Sequence, residues 1–395
     1  MQRLALQPWM TSAQRVMDAL EAAQPGCARF VGGCVRNALL GEPVADVDIA
    51  TQLTPDRVEQ VMRAARIAVH PTGIEHGTLT VVADHMPFEV TTLRRDVETD
   101  GRRAVVAFTQ DWAEDAQRRD FRMNALYADR DGIVHDPTGG GLDDVAARRI
   151  VFVGDPETRI REDYLRILRF FRFQAWYGRA APDAAGLVAC GRLRSGLAGI
   201  SAERIWMETK KLMAAPQPMP AMHAMEASGV LAQLFPGAKG IGLLERLSAI
   251  SGDPLQRFLA LFWKDAVAVR AVSLGMKMSN DERDRLVAAV ANETALDSAS
   301  PQELRAAIYR AGAQAVADRA MLEFASTGNP RWRTVHSEAK GWTPRTMPLG
   351  GADLLAAGFS PGPGVGQALK KAEEAWISSD FSLDRAALLA IVQRA

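Results

Sequence analysis

The sequence predicts an α+β head with a small mixed sheet, followed by an elongated, all-helical remainder. Helix and strand signals alternate over roughly the first 140 residues, whereas Leu-, Ala- and Arg-rich helical periodicity dominates after about residue 160. The Pro-rich residues 215–221 and the segment 326–351 interrupt this helical part. We therefore expect four parts: a head over residues 1–145, a neck over 146–212, a body over 213–325 and a tail over 326–395.

The elements of the head follow from local signals. The first four are a helix over residues 12–23 capped by Thr11 or Ser12, a strand at ARFV, a short helix at VRNALLG that ends at Gly41, and a strand at VDIAT. Thr54 as N-cap and Pro55 at the first helical position begin the next helix. Two β-branched segments, GTLTVVAD and PFEVTTLR, predict strands separated by a turn near Met86–Pro87.

The composition is that of an ordinary globular protein. The chain has 395 residues, of which 48% are hydrophobic and 24% charged. Its three cysteines (Cys27, Cys34 and Cys190) lack CxxC or other metal-binding spacing, which indicates a reducing compartment. No apolar run reaches about 18 residues, and the N-terminus lacks a cleavage signature. We expect a cytoplasmic protein without a membrane partner.

The charge is balanced overall but unevenly distributed. Lys and Arg number 47, as do Asp and Glu, so net charge does not indicate a nucleic-acid partner. From Arg161 to Leu212, however, 10 basic residues stand against 5 acidic ones. Such a segment attracts phosphates. The alternative is a solvated helical surface.

The segment RFVGGCVRNALLGEPVADVDIA predicts a phosphate and metal site. Gly32 and Gly33 leave backbone N–H groups open at a strand-to-helix turn, where a helix N-terminus favours anions, and Arg36 can reach the same phosphate. Asp46 and Asp48 project from the same side of a strand. Paired carboxylates suit Mg²⁺, which usually takes one or two of them plus substrate phosphates. The alternative is a glycine turn beside a polar strand end.

Glu89 is a candidate third catalytic carboxylate. It lies between the apolar Phe88 and Val90, where a charge is unexpected unless it faces a site. Two-metal transfer of phosphoryl groups commonly uses such a carboxylate cluster. The alternative is a solvent-exposed glutamate on an edge strand.

The segment REDYLRILRFFRF predicts a base-reading helix. Asp163, Arg166, Arg169 and Arg172 recur every three residues among apolar ones. Each step of three residues turns the direction by about 60°, so Asp163 and Arg166 are neighbours and Arg172 lies opposite Asp163. An adjacent acceptor and donor match the pairing edges of cytosine and adenine, whereas uracil and guanine reverse that order. The alternative is an ion pair within the helix.

These motifs together identify a family. GGCVR, DVD, RRDFRMNAL and REDYLRILRFFRF resemble, in order and spacing, those of the class II tRNA nucleotidyltransferases, the bacterial CCA-adding enzymes related to poly(A) polymerases. The match is detailed over about residues 28–212. It implies a polymerase-β-like head followed by helical neck, body and tail. The resemblance further assigns the triphosphate to Gly33 and Arg36, Mg²⁺ to Asp46 and Asp48, nucleotide binding to Arg119, base reading to Asp163 and Arg166, and additional nucleotide contacts to Arg169 and Arg172.

The activity that the resemblance implies is untemplated addition of CCA to the 3′ end of tRNA from CTP and ATP, with release of pyrophosphate. Residues 97–109 match the family's flexible loop, which is involved in the switch from C to A addition, and argue weakly against a CC-only enzyme. An A-only enzyme, a poly(A) polymerase and a non-catalytic RNA-binding relative also stay open at this point. The intact Asp46 and Asp48 argue against the non-catalytic relative.

Three further features complete the sequence predictions. Asn37 stands where the family usually has Asp, which leaves an arginine-bracing or acid–base role open. The pair His135–Asp136 is interpreted as a strand-to-turn feature, not as part of a phosphohydrolase. The candidate RNA contacts are Lys210, Lys211, Lys370 and Lys371, with Gly362, Gly364 and Gly366 in a glycine-rich loop before a helix. The alternative for that loop is a plain interhelical connection, and the sequence leaves the oligomeric state unknown.

Overall fold

The chain forms two compact units. The structure, a computed structural model, describes residues 2–74, 77–100, 103–291 and 295–394. The units comprise Met1–Pro236 and Gly237–Ala395. The finer division into head, neck, body and tail stays a prediction.

All described strands lie in the first unit. They are β1 Ala28–Val31, β2 Asp48–Thr51, β3 Ala68–Gly73, β4 Thr78–Ala83, β5 Met86–Thr92, β6 Arg94–Asp100, β7 Arg103–Phe108, β8 Tyr127–Ala128 and β9 Val134–His135. Among the described residues, seven strands form one mixed sheet in the order β3-β4-β5-β2-β1-β8-β9, and β6 pairs with β7 separately. Strands β2 and β5 run parallel, whereas the other pairings in this sheet are antiparallel.

Helices surround this sheet and make up the rest of the first unit. They are α1 Pro8–Ser12, α2 Gln14–Ala23, α3 Gly33–Leu40, α4 Pro55–Ala64, α5 Trp112–Gln117, α6 Gly141–Ala146, α7 Pro156–Glu162, α8 Leu165–Tyr177, α9 Ala184–Leu193, α10 Ala202–Met213, α11 Met219–Ala227 and α12 Val230–Leu234. The 3₁₀ helices Arg122–Asn124 and Arg194–Gly199 also belong to it. Helix α4 begins at Pro55 after Thr54, and α3 ends before Gly41 in the left-handed conformation, so both sequence predictions are confirmed.

The second unit is helical in every element that the structure describes. These elements are α13 Ile241–Ser248, α14 Pro254–Ala260, α15 Ala266–Gly275, α16 Asn280–Ala291, α17 Pro301–Ala311, α18 Ala313–Thr327, α19 Arg331–Lys340, α20 Gly351–Ala356, α21 Pro363–Ser378 and α22 Arg385–Gln393. One apolar core gathers around Trp332 and Val335, and another around Trp376 and Leu388. The predicted α+β fold class, with strands confined to the N-terminal part, is confirmed.

Three local predictions need correction. Thr11 and Ser12, predicted as N-cap candidates, lie within α1, and α2 begins at Gln14 after Ala13. The turn between β4 and β5 lies at Asp84–His85, whose φ angles of 49° and 65° suit a two-residue hairpin, and Met86–Pro87 already belong to β5. Of the three glycines predicted to precede a helix, only Gly362 does so, because α21 begins at Pro363 and includes Gly364 and Gly366.

The segment predicted as one base-reading helix is broken at Asp163. Helix α7 ends at Glu162, and Asp163 is extended, with φ −153° and ψ 105°. Its carboxylate accepts a hydrogen bond from the backbone N–H of Leu165 at 3.1 Å, which competes with helical continuation. The continuous helix is therefore wrong, whereas the predicted burial of its apolar positions is confirmed in α8.

The segment 97–109, predicted as the flexible loop, contains parts of β6 and β7. Its residues 101 and 102 lie outside the described residues. In the described part of the chain, every helix is too short or too polar to span a lipid bilayer.

Candidate active site

The glycine turn between β1 and α3 forms one side of the site. Gly32 has φ 73° and ψ −120°, a conformation that favours glycine, and its carbonyl accepts the first helical hydrogen bond from Arg36 at 3.0 Å. A Cβ atom on Gly32 would lie 3.5 Å from Nη1 of Arg119. The turn therefore places the N-terminus of α3 next to the guanidinium of Arg119.

Three carboxylates lie close to one another beside this turn, where β2 begins. Asp48 begins β2 opposite Val31, the last residue of β1, so it lies beside the glycine turn. Glu89 is its direct partner on the parallel strand β5, and Asp46 is exposed just before β2. Strand β5 is internal, between β4 and β2, so the edge-strand alternative for Glu89 is wrong, although the side chain is exposed. The sheet register brings the predicted carboxylates together.

Burial and neighbouring carboxylates both act on the pKa of Asp48. Burial raises the pKa of Asp48 to about 6, the carboxylates of Glu89 and Asp46 add to the rise, and Arg119 opposes it. Among the described residues, no group of three or more His, Cys, Asp or Glu side chains is placed to hold a metal ion. A cation at this position would take its remaining ligands from substrate or water.

Asp115 fixes the twin arginines of the RRDFRMNAL motif. Its buried carboxylate accepts from Arg118 Nη2 at 2.6 Å, from Arg119 Nη2 at 3.0 Å and from the hydroxyl of Tyr127 at 2.7 Å. Burial alone would raise the pKa of Asp115, but the two arginines lower it to about 2. Arg119 is thereby oriented toward the glycine turn without being free to rotate.

Asp120 and Asn124, later in the same motif, connect α8 to the glycine turn. Asp120 accepts from Arg169 Nε at 2.7 Å and Nη2 at 2.5 Å, and from Asn124 Nδ2 at 2.9 Å. Oδ1 of Asn124 accepts in turn from Arg36 Nη1 at 2.5 Å. One hydrogen-bond chain therefore sets the positions of both arginines.

Three arginines of the site lie around the ring of Phe173. The guanidinium carbons of Arg36, Arg169 and Arg172 lie 5.2, 5.5 and 4.4 Å from its centroid. Arg172 also donates to Glu208 on α10 at 2.5 Å. Three of the predicted nucleotide-binding arginines are thus neighbours in the structure.

Asp163 and Arg166, predicted as one base-reading unit, each contact other residues. Asp163 instead accepts from Arg204 Nη2 on α10 at 2.7 Å. Arg166 donates to Glu162 at 2.5 Å and to the backbone carbonyls of Arg159 and Arg118 at 2.8 and 3.1 Å. The break at Asp163 removes the continuous helix from which the joint unit was predicted, and the base-reading role of both residues stays a prediction.

The predicted RNA contacts lie on the last turn of α10 and on α21. Lys210 is half-buried and Lys211 exposed, and the carbonyl of Lys211 accepts from Nε1 of Trp176 at 2.8 Å. Lys370 and Lys371 are exposed on α21, in the second unit. Their contact with RNA stays a prediction.

The pair His135–Asp136 has a structural explanation. His135 ends β9, and the carboxylate of Asp136 accepts from the backbone N–H groups of Gly139, Gly140 and Gly141 at 2.8–3.1 Å. The interpretation as a strand-to-turn feature is confirmed.

The sequence predictions missed the polar residues that hold the predicted nucleotide-binding side chains in place. These residues are Asp115, Asp120, Asn124, Glu162, Tyr177, Arg204 and Glu208. A usable signal was a polar residue inside an apolar stretch, as with Asn124 in RMNAL and Glu208 in IWMETKK.

Known proteins share sequence similarity with almost the whole chain. Residues 28–151 match the family described as Poly A polymerase head domain, and residues 186–241 match the one described as Probable RNA and SrmB- binding site of polymerase A. The CCA tRNA nucleotidyltransferase 1, mitochondrial, of Mus musculus is 32% identical, over 98% of this chain and 91% of its own length. The CCA-adding enzyme of Streptococcus gordonii is 33% identical, over 93% of each chain.

A solved structure supports the same assignment. The crystal structure of the Bacillus stearothermophilus CCA-adding enzyme in complex with CTP superposes with a TM-score of 0.82 at 29% identity, covering 98% of both chains. The fold with a polymerase-β-like head, which the sequence resemblance implied, is thereby confirmed. Because the identity to the relatives extends over almost the whole chain, this protein belongs to the family of CCA-adding tRNA nucleotidyltransferases.

Proposed function

We propose that this protein adds CCA, without a template, to the 3′ end of tRNA from CTP and ATP and releases pyrophosphate. The observation that carries the proposal is the meeting of Asp46, Asp48 and Glu89 with the glycine turn and its arginines. Carboxylates on one side and guanidinium groups on the other suit a metal-bound triphosphate. Family membership supplies the substrate class.

Asp46 and Asp48 are the residues that would hold Mg²⁺. Their hard oxygen atoms suit this cation, and the pKa of Asp48, raised by burial and by neighbouring carboxylates, indicates that a positive charge would stabilise the site. When bound, the metal would supply charge stabilisation at the transferring phosphoryl group. Glu89 adds negative charge beside Asp48, and we propose it as a supporting carboxylate.

The arginines would bind and orient the nucleotide. Arg36 and Arg119 lie at the N-terminus of α3, where the backbone N–H groups that follow Gly32 also favour phosphate. Arg169 and Arg172 extend this positive surface across Phe173. We propose that Asp163 and Arg166 read the base, Asp163 with its carboxylate held by Arg204.

The reaction would join the terminal ribose hydroxyl of tRNA to the α-phosphorus of the incoming nucleotide. The bond from the α-phosphorus to the bridging oxygen breaks, and pyrophosphate leaves with that oxygen. The hydroxyl gives up its proton to water as the new phosphodiester bond forms. The exposed Lys211, the half-buried Lys210 and, in the second unit, Lys370 and Lys371 are the proposed tRNA contacts.

The test is nucleotide addition to a tRNA that ends before CCA, with Mg²⁺ and with CTP and ATP supplied singly and together. We expect CTP alone to add the two cytidines and both nucleotides together to complete CCA. Addition that stops after CC, addition of A alone to a tRNA ending in CC, or long A tails would replace the proposal by a CC-only enzyme, an A-only enzyme or a poly(A) polymerase, respectively. Binding without any addition would indicate a non-catalytic RNA-binding relative.

Two further proposals concern the location of the protein and its division into domains. We propose cytoplasmic location, which rests on three cysteines that are buried free thiols. We also propose the division into head, neck, body and tail. Limited proteolysis with mass spectrometry would test the division, since cleavage should concentrate in the connections that follow α6, α10 and α18.

A further inference from the structure

Arg36 differs from the other arginines of the site in the charge of its partners. Arg119 is paired with Asp115, Arg169 with Asp120, and Arg172 with Glu208. Among the described residues, Arg36 has no carboxylate within ion-pairing distance. Its hydrogen bonds go to the side chains of Asn37, Asn124 and Tyr177, all neutral.

The guanidinium of Arg36 is nonetheless buried and firmly held. Its exposed fraction is 6%, and its carbon lies 4.1 Å from the ring centroid of Tyr177. A buried guanidinium remains charged, and a buried charge without a directly bonded counter-ion is costly. The carboxylate of Asp120, which reaches Arg36 only through Asn124, compensates this charge in part. Such a group is stabilised when an anion binds, and it lies at the glycine turn, with Nη2 3.8 Å from a Cβ built on Gly33.

Asn37 is the neutral residue that faces two nitrogen atoms of Arg36. Its Oδ1 accepts from Arg36 Nε at 3.0 Å and Nη2 at 2.8 Å, and its Nδ2 donates to the carbonyl of Pro43 at 2.7 Å. The bond to Pro43 fixes the amide so that its oxygen faces Arg36. An aspartate here would set a carboxylate against the Pro43 carbonyl and would neutralise Arg36.

We propose that Asn37 is a positioning residue that braces Arg36 without neutralising it, so that its full positive charge is available to the triphosphate of the nucleotide. The inference rests on the proposed function for the location of the triphosphate. It assigns a role to the position where the sequence departs from the family's usual Asp.

The test compares Asn37→Asp, which adds a charge, with Asn37→Ala, which removes the brace but adds none. Gln60→Glu is the matched control, because Gln60 is exposed on α4 and the change adds the same charge to the surface of the same unit. Dissociation constants for CTP, ATP and CMP are measured by calorimetry with Mg²⁺ and without tRNA. Thermal unfolding verifies that each variant is folded.

We expect Asn37→Asp to raise Kd for CTP and ATP by about tenfold, which corresponds to about 1.4 kcal/mol. Kd for CMP should change much less, because the lost attraction acts on the distal phosphates. Asn37→Ala should bind CTP within about threefold of the wild type, because Asn124 and Tyr177 still hold Arg36. Gln60→Glu should match the wild type.

Three results would overturn the inference: an unchanged Kd for CTP in Asn37→Asp, equal losses for CMP and CTP, or a loss in Asn37→Ala as large as in Asn37→Asp. If Asn37→Asp does not fold, Asn37→Glu adds the same charge and is compared with Asn37→Ala in the same way. A wild type that binds no CTP would overturn the proposed function as well. If the wild type adds CCA but Asn37→Asp leaves Kd for CTP unchanged, this inference alone would be overturned.

Discussion

Replacing Asp120 by Asn tests whether the hydrogen-bond chain between α8 and the glycine turn stabilises the site. Asp120 is 8% exposed and accepts from Arg169, Asn124 and the backbone N–H of Phe121. The change conserves shape but removes the charge and turns one acceptor oxygen into a donor. Arg169 is then left opposite an amide nitrogen.

The expected cost follows from the burial of the two partners. Breaking a buried ion pair by removing one partner costs about 3–5 kcal/mol. The side chain of Arg169 is 33% exposed, so its guanidinium recovers part of its hydration. We therefore expect the free energy of unfolding to fall by about 2–3 kcal/mol. Because Arg169 is a proposed nucleotide-binding residue, its displacement should also lower kcat/KM for CTP by about tenfold.

The assay is urea unfolding at neutral pH with nucleotide addition measured in parallel. Asp84→Asn is the matched control, because Asp84 pairs with Arg15 in an exposed ion pair, with side chains 59% and 51% exposed. It should change the free energy of unfolding by at most about 0.5 kcal/mol. A loss of stability in Asp120→Asn no larger than that in Asp84→Asn would refute the stabilising role of this chain.

The same pair makes stability depend on pH. Burial would raise the pKa of Asp120, but Arg169 and the hydrogen bonds lower it overall. The stabilisation is therefore present above the unfolded-state pKa of about 4 and is lost as pH falls through the lower folded-state value. Wild type should lose stability below about pH 4 more steeply than Asp120→Asn, and parallel pH profiles would contradict this origin.

Three further changes test contacts elsewhere in the first unit. Arg204→Ala releases the carboxylate of Asp163, so the preference for CTP over UTP in kcat/KM should fall by about tenfold, and an unchanged preference would contradict a positioning role. Gly196→Ala would set a Cβ 2.0 Å from a tyrosine ring, so urea unfolding should show a loss of about 1–3 kcal/mol, and wild-type stability would contradict this close packing. Neutralising Lys210 and Lys211 together should reduce the salt dependence of tRNA binding by about 1–2 in log–log slope, and an identical slope would place the RNA elsewhere.

Local signals were sufficient where neighbours in sequence decide the structure. Thr54 and Pro55 mark the start of α4, and ARFV matches the observed β1 residue for residue. Of the two aspartates predicted on one strand, Asp48 begins β2, whereas Asp46 lies before the strand, so that part of the prediction is wrong. The correct predictions depend on capping, proline geometry and strand periodicity, which a short segment contains in full.

Contacts between distant residues decided the rest. Asp163 leaves the helix and pairs with Arg204, 41 positions away, and Arg36 bonds to Asn124, 88 positions away. Helical periodicity alone could not separate Asp163 from Arg166, because both fit a continuous amphipathic helix. Strands of two residues, such as β8, are too short to show a periodic pattern.

The central claim is that the carboxylates at the start of β2 carry metal-dependent nucleotide addition. The most direct measurement is the rate of CTP incorporation into tRNA lacking CCA by wild type, Asp46→Asn, Asp48→Asn and the control Asp84→Asn, with tRNA affinity measured alongside. We predict a loss of about 10³-fold, equal to about 4 kcal/mol, for both site variants, with tRNA affinity and the control unchanged. Near-wild-type incorporation by Asp46→Asn or Asp48→Asn would contradict the claim.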